Sequence, residues 1–155
     1  MTIRFIPLST DAVRALQAGG ADAYGNAPEY RTSDGDGVPC RHCLKQVPAG
    51  RPYLVVAFRP FTTLQAYAET GPIFLCADKC QPADTAHQLP EILESPDYIV
   101  RGYNDREQIV YGTGAVIPRE RIAERAESLL ADGAISFVHV RSARNNCFQC
   151  RIERG

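Results

Sequence analysis

The clearest helix signal lies in the last third of the chain. There, apolar residues recur at i, i+4, i+7 and i+8, the spacing of a helix that buries one face. The residues at these positions are Ile122, Ala126, Leu129 and Leu130. Pro118 precedes the pattern and Gly133 follows it. We therefore expect the helix to open at Pro118 and to end at Gly133, in a C′-like position.

A shorter helix is predicted near the N-terminus. Ser9 or Thr10 can cap it, and Gly19-Gly20 can stop it. The segment that follows, 21–39, is rich in glycine, proline and acidic residues. We expect a long loop or lid over 21–39, because loops of that length in compact domains are often functional.

Runs of apolar residues bounded by turn residues predict the strands. The expected strands are 3–8, 53–58, 73–76, 98–103, 108–111, 135–140 and 147–152. Residues 104–107, Asn-Asp-Arg-Glu, should join two of these strands as a hairpin. Since most links between the strands are short, they favour antiparallel pairing. The pattern predicts an α+β fold, in which two or three helices pack on a mixed, mainly antiparallel sheet.

Composition is that of a globular protein and excludes several other classes. The 155 residues correspond to a single domain, 1–155, with 45% hydrophobic and 23% charged residues. The longest apolar run, 53–58, is far shorter than the roughly 20 residues of a membrane span, so no membrane partner is expected. A formal net charge of −1 gives no general attraction to nucleic acid, so no nucleic-acid partner is expected. Nothing in the sequence indicates an oligomeric state.

The N-terminal residues lack the long apolar segment and the small-residue cleavage site of a secretion signal. We therefore expect a cytoplasmic protein, in which thiols are kept reduced. In that compartment six cysteines indicate a metal site, redox chemistry or plain packing more than a disulfide framework.

The six cysteines occur as three close pairs. They are Cys40 and Cys43, Cys76 and Cys80, and Cys147 and Cys150. Zinc prefers four thiolate or imidazole ligands in a tetrahedron, and a Cys-x-x-Cys turn can direct two sulfurs at one ion. The predicted zinc ligands are Cys40, Cys43 and Cys80, with Cys150, Cys147 or Cys76 as the fourth. His42 offers an additional nitrogen donor.

The spacing of the pairs leaves other interpretations open. The first and last pairs are much further apart than the roughly 12–20 residues that separate the pairs of zinc ribbons and fingers, so the fold must assemble any shared site. In a regular strand over 147–152, Cys147 and Cys150 face opposite sides of the sheet, and Cys150 becomes a buried core thiol. Disulfides, a redox pair and inert packing of the thiols therefore remain as alternatives to a zinc site.

A reactive cysteine is the main alternative function. An enzyme of unknown reaction would use Cys40 or Cys43 as the nucleophile and His42 or His139 as the base, in a pocket under the glycine-rich loop. His139 shares a strand face with Phe137, so a hydrogen-bonded core histidine is the more ordinary interpretation of that residue. The chain carries no P-loop, dinucleotide fingerprint or hydrolase elbow, and no cofactor-binding residue is predicted.

Basic residues gather near the C-terminus. They are Arg141, Arg144, Arg151 and Arg154, and Glu153 is the acidic residue among them. An edge strand protected by charge accounts for this group. A patch that binds phosphate or carboxylate is the functional alternative.

Several phrases of the sequence, taken together, resemble a known bacterial family. They are 39–44 (Pro-Cys-Arg-His-Cys-Leu), 58–61 (Phe-Arg-Pro-Phe), 67–74 (Tyr-Ala-Glu-Thr-Gly-Pro-Ile-Phe), 110–114 (Val-Tyr-Gly-Thr-Gly) and 139–152, of which the last is the most specific. The chain resembles domain-of-unknown-function family 1203 from Ile3 to Arg154. The resemblance implies a small standalone bacterial protein, and it implies no activity, substrate or catalytic residue.

Overall fold

A computed structural model describes residues 2–84 and 88–155 of the chain. The strands are β1 (Ile3–Ile6), β2 (Glu29–Thr32), β3 (Pro52–Phe58), β4 (Gly71–Cys76), β5 (Asp97–Tyr103), β6 (Ala115–Pro118), β7 (Phe137–Ser142) and β8 (Phe148–Arg154). The helices are α1 (Thr10–Gln17) and α2 (Ile122–Leu130), and a 3-10 turn, Arg119–Arg121, leads into α2. No helix in the described part of the chain is long and apolar enough to cross a membrane.

The strands form two antiparallel sheets. One has five strands in the order β1-β8-β7-β5-β6, and the other has three strands in the order β2-β3-β4. The α+β class is confirmed at this level. The expectation of one mixed sheet is wrong, because β2, β3 and β4 form a second sheet that shares no strand pairing with the first among the described residues, although β4 contacts β8.

Helix α2 covers one face of the five-stranded sheet. The predicted apolar positions are all buried: Ile122, Ala126, Leu129 and Leu130. They pack on residues such as Val100, Val138 and Val140 of the sheet. The expected end at Gly133 is wrong, since the helix ends at Leu130 and Ala131 already serves as its cap. Gly133 lies outside the left-handed region that a C′ glycine adopts.

Helix α1 has the predicted signals at both ends. The Ser9 hydroxyl accepts a hydrogen bond from the Ala12 N–H at 3.5 Å. At the other end Gly19 has φ +94°, and the Gly19 and Gly20 N–H groups donate to Leu16 and Ala15 carbonyls at 3.0 and 2.9 Å. This pair of bonds is a Schellman motif, which needs a residue without a Cβ in the left-handed position.

Two predictions about loops and strands are wrong. The segment 21–39 is not a continuous loop, because it contains β2, whose side chains are all exposed and leave no apolar pattern. Hydrophobic periodicity does not detect a strand of this kind. The predicted strand 108–111 makes a single bridge, between Ile109 and Tyr103. The actual partner of β5 on that side is β6, a four-residue apolar segment whose residues alternate between partly buried and exposed. The connector 82–96 contains turns around Ile92 and no helix among its described residues.

Candidate metal centre

Four cysteines from three segments at the edge of the three-stranded sheet lie close together. Cys40 and Cys43 lie in a turn before β3, Cys76 is the last residue of β4, and Cys80 follows shortly after. Their sulfur atoms all lie within 4.8 Å of one another. The Cys40–Cys80 and Cys43–Cys76 sulfur pairs are each 3.9 Å apart.

Backbone hydrogen bonds shape the turn that carries the first two thiols. Pro39 and Gln46 form an antiparallel bridge, and the Leu44 N–H donates to the Cys40 carbonyl at 2.9 Å. Leu44 has φ +55°, a conformation that a branched side chain rarely adopts. The turn is thereby closed so tightly that Cys40 and Cys43 project toward the same point.

The turn is attached to β4 by its own backbone. Cys40 forms a parallel bridge with Phe74, and the Arg41 N–H donates to the Phe74 carbonyl at 3.2 Å. This pairing places the Cys76 N–H against the Cys40 sulfur at 3.3 Å. An N–H group in that position stabilises a thiolate, since hydrogen bonds favour the charged form of an acid.

The distances between the sulfurs distinguish a metal site from a disulfide. A disulfide needs an S–S distance of about 2.05 Å. A tetrahedral ion with metal–sulfur bonds of about 2.3 Å has sulfurs about 3.8 Å apart. The two 3.9 Å distances match the second geometry, and all six cysteines are free thiols. The group is thus compatible with a metal ion.

Charge in the group is unevenly shared. Hydrogen bonds from the Cys43, Cys76 and Cys80 thiols lower the pKa of Cys40 far below its usual range. Cys76 and Cys80 have raised pKa values, and the main cause is the hydrogen bond of each thiol with Cys40. Cys40 opposes ionisation of Cys43, but hydrogen bonds with Cys76 and Cys80 still lower the pKa of Cys43. Negative charge is therefore favoured on the 40–43 turn, and a cation would balance the repulsion when Cys76 and Cys80 ionise as well.

His42 lies behind the group and does not belong to the four-sulfur cluster. Its Nδ1 is 3.1 Å from the Cys80 sulfur, and its Nε2 is 2.9 Å from the Thr10 hydroxyl at the start of α1. The ring is fully buried, and this burial lowers its pKa. A neutral ring held in this way can donate one N–H to a sulfur ligand and fix its orientation.

Helix α1 holds the segment that contains Cys76 and Cys80. Arg14 donates to the Cys80 carbonyl at 2.7 Å, and Gln17 donates to the Cys76 carbonyl at 2.8 Å. Sequence reasoning missed the contacts of these two residues and of Thr10 with the site, because side-chain hydrogen bonds to distant carbonyls and rings leave no local pattern. A surface groove of about 700 Å³ is lined in part by Cys43, Cys76 and Cys80.

The structure does not bring Cys147 or Cys150 to the four-sulfur group. Cys150 pairs with Val140 in the five-stranded sheet and is buried in the core under α2. That burial raises the pKa of the Cys150 thiol to about 12. Cys147 lies just before β8, partly exposed, with its sulfur 3.7 Å from the Asn145 carbonyl. The five-stranded sheet thus holds Cys150 in the core and Cys147 near the surface, and Cys76 is the fourth cysteine of the group.

His139 is placed among aromatic side chains and not beside a thiol. Its ring centroid lies 4.7–5.3 Å from those of Phe61, Tyr103, Phe137 and Phe148. The ring is fully buried, and neither nitrogen has a hydrogen-bond partner among the described residues. His139 is thus a core residue as expected, but it is fully buried and lacks the expected hydrogen bond among the described residues. Burial first, and then the charges of nearby arginines, hold the pKa of His139 well below its usual range.

The C-terminal arginines each contact other parts of the chain. Arg154 donates to the carbonyls of Leu130 and Ile135. Arg151 lies 3.8 Å from the Phe137 ring centroid, and Arg144 pairs with Asp97 at 3.5 Å. Arg141 is buried. The four arginines do not form one exposed basic patch.

The chain belongs to the family described as "Protein of unknown function (DUF1203)", which matches residues 37–154. The match includes all six cysteines and the strands β3 to β8. No curated protein and no solved structure matches the chain.

Proposed function

We propose that this protein binds one zinc ion through Cys40, Cys43, Cys76 and Cys80, and that the ion has a structural role. The observation that carries the proposal is the group of four sulfurs within 4.8 Å of one another. Four thiolates fill a tetrahedral shell, and closed shells of this kind are typical of structural zinc sites. The ion would fasten the 40–43 turn to the end of β4.

The choice of zinc follows from the ligand chemistry. Sets of four thiolates select zinc or iron among the common metals, and zinc needs no redox partner. His42 would act through Cys80 as a positioning residue, since its Nδ1 lies on that sulfur. The proposal requires a reducing compartment, such as a bacterial cytoplasm, because oxidation of the thiols would remove the ligands.

A reactive thiol is a second candidate, which rests on one contact. The 3.1 Å distance between His42 and Cys80 is that of a thiolate–imidazole pair. The sequence indicated Cys40 or Cys43 as the nucleophile, with His139 as one possible base. Neither thiol forms such a pair with His139 in the described structure. A metal ligand oriented by a histidine accounts for the same contact. The two functions differ at Cys43 and Cys76, which the zinc site requires and a reactive Cys80 does not.

Cobalt substitution tests the zinc proposal directly. Co²⁺ added to the metal-free, reduced protein should give the intense visible bands and the sulfur-to-metal charge transfer of a tetrahedral thiolate site, and zinc should abolish them. Cys43→Ser and Cys76→Ser should lose these bands or weaken them strongly, while Cys147→Ser should keep them. An octahedral cobalt spectrum, or equal spectra in all variants, would contradict the proposal. A single thiol that reacts rapidly in metal-free protein, with no cobalt binding, would support the reactive-thiol function instead.

A further inference from the structure

The four thiols of the candidate metal centre are not equally accessible. Cys40 is fully buried, whereas the other three residues are partly exposed and help to line the surface groove. A thiol reacts with a dissolved oxidant only where the oxidant can reach it. Accessibility therefore makes Cys43, Cys76 and Cys80 the oxidisable members of the group.

Hydrogen bonds divide the four sulfurs in a second way. The Cys40 sulfur accepts the Cys76 N–H at 3.3 Å. The Cys80 sulfur lies 3.1 Å from Nδ1 of His42. The sulfurs of Cys43 and Cys76 have no N–H donor among the described residues, and they lie 3.9 Å from each other. A hydrogen bond stabilises the charge of a thiolate, so a sulfur that lacks one stays the better nucleophile.

The two distinctions coincide at the Cys43–Cys76 pair. Both residues are partly exposed, and neither sulfur is held by an N–H group in the described part of the chain. A disulfide has an S–S distance of about 2.05 Å, so these sulfurs need to approach by about 2 Å once no ion lies between them. The other pair at 3.9 Å, Cys40 and Cys80, contains the buried thiol and both hydrogen-bonded sulfurs.

We propose that Cys43 and Cys76 are a site of reversible oxidation, at which hydrogen peroxide joins the two sulfurs in a disulfide and the bound ion leaves. This inference rests on the proposed zinc site. One thiolate attacks a peroxide oxygen, the O–O bond breaks, and hydroxide departs. The second thiolate attacks the resulting sulfenic acid, forms the S–S bond and displaces another hydroxide. The sulfurs give up two electrons, two protons from solvent convert the hydroxides to water, and the zinc ion keeps its charge.

Backbone hydrogen bonds that do not involve the ion allow this change to be reversed. The turn that carries Cys43 is attached to β4 by the Arg41 N–H, which donates to the Phe74 carbonyl at 3.2 Å. It is attached to the chain beyond β4 by the Ala83 N–H, which donates to the His42 carbonyl at 3.0 Å. These bonds keep the turn in place after the ion leaves, so a dithiol that reduces the disulfide should restore the site.

Zinc release by hydrogen peroxide tests this inference on the full chain. Elemental analysis first counts the ion in reduced, zinc-loaded protein, and absence of zinc at this stage would overturn the proposed function and this inference with it. Peroxide is then added together with a chromophoric zinc chelator, and peptide mass spectrometry maps the disulfides. We expect one zinc released for each Cys43–Cys76 disulfide, and zinc bound again after treatment with dithiothreitol. The chelator without peroxide should take up the ion much more slowly.

Other results of the same experiment would overturn the proposal. One is retention of zinc while the Cys147 thiol, which lies outside the group, is oxidised. The others are release of zinc with a different disulfide, or with sulfinic acids and no disulfide.

Matched histidine substitutions locate the oxidised pair, because imidazole binds zinc but forms no disulfide. Cys43→His should keep its zinc under the peroxide treatment that empties the wild type. Cys80→His should still form the Cys43–Cys76 disulfide and release its ion. Zinc release from Cys43→His at the wild-type rate would contradict the proposal.

A serine substitution outside the group is the second control. Cys147→Ser should release zinc as the wild type does, and it removes the partly exposed thiol that could pair between two chains. If the histidine variants do not fold or do not hold zinc, the disulfide map of Cys147→Ser decides the question. A map without a Cys43–Cys76 bond in the zinc-depleted protein would then overturn the proposal.

Discussion

The sulfur atoms of Cys43 and Cys76 lie 3.9 Å apart, although 33 positions separate the two residues in the chain. They meet because the bridge between Cys40 and Phe74 aligns the 40–43 turn with the end of β4. The pairing that attaches the turn to the three-stranded layer therefore also assembles the candidate metal centre. Binding of an ion at this point should be coupled to folding of the layer.

The first prediction concerns stability and metal. Zinc should stabilise the wild type by about 4 kcal/mol when free zinc is a thousand times its Kd, because only the folded chain offers the site. Cys76→Ser should be less stable and should not respond to added zinc. Thermal unfolding with zinc and with a chelator measures both effects. Cys147→Ser is the matched control, and an equal response of the two variants to zinc would rule out Cys76 as a ligand.

The second prediction concerns His42. His42→Phe should lower zinc affinity about 10–100-fold while leaving one ion per chain, because the histidine orients the Cys80 sulfur without being a ligand. Thr10→Val, which removes the partner of the other ring nitrogen, should have a smaller effect in the same direction. Competition with a chromophoric chelator measures these affinities. Loss of the whole ion in His42→Phe would make His42 itself a ligand.

The third prediction concerns pH. The pKa of His139 is well below its usual range in the folded chain. In mildly acidic solution the unfolded chain therefore binds a proton at this residue that the folded chain does not. Its contribution to stability is complete above about pH 6.5 and falls by about 1.4 kcal/mol per pH unit below that value. His139→Phe should remove this part of the pH dependence. Urea unfolding of both proteins between pH 7 and 5.5 measures it, and identical slopes would show that His139 is not its source.

The fourth prediction concerns the core under α2. Leu130→Ala should destabilise the protein by about 2–5 kcal/mol, because Leu130 is fully buried against the five-stranded sheet. Leu64→Ala, at a side chain that is 80% exposed, should change stability by no more than about 0.5 kcal/mol. Zinc content should be unchanged in both. Denaturant unfolding gives the free energies, and a similar effect of the two substitutions would contradict the assigned core.

Sequence reasoning worked best where one face of an element is buried. The four buried positions of α2 could be predicted from their spacing, and so could β3 from its apolar run. It failed at β2, whose exposed side chains give no period, and at β6, whose apolar run is only four residues long. The spacing of the cysteines predicted Cys40, Cys43 and Cys80 as members of one group, but the place of Cys76 in it depends on pairing between the 40–43 turn and β4, a contact that no local pattern records.

The most direct test is the zinc content and the reactive thiol count of one reduced, untagged sample. We expect about one zinc per chain, with the four thiols of Cys40, Cys43, Cys76 and Cys80 protected until a chelator is added. Cys147 should then be the thiol that reacts readily in the folded protein, since Cys150 is buried in the core. A protein that binds no metal when zinc is supplied, with the same thiols reactive before and after chelation, would contradict the central claim.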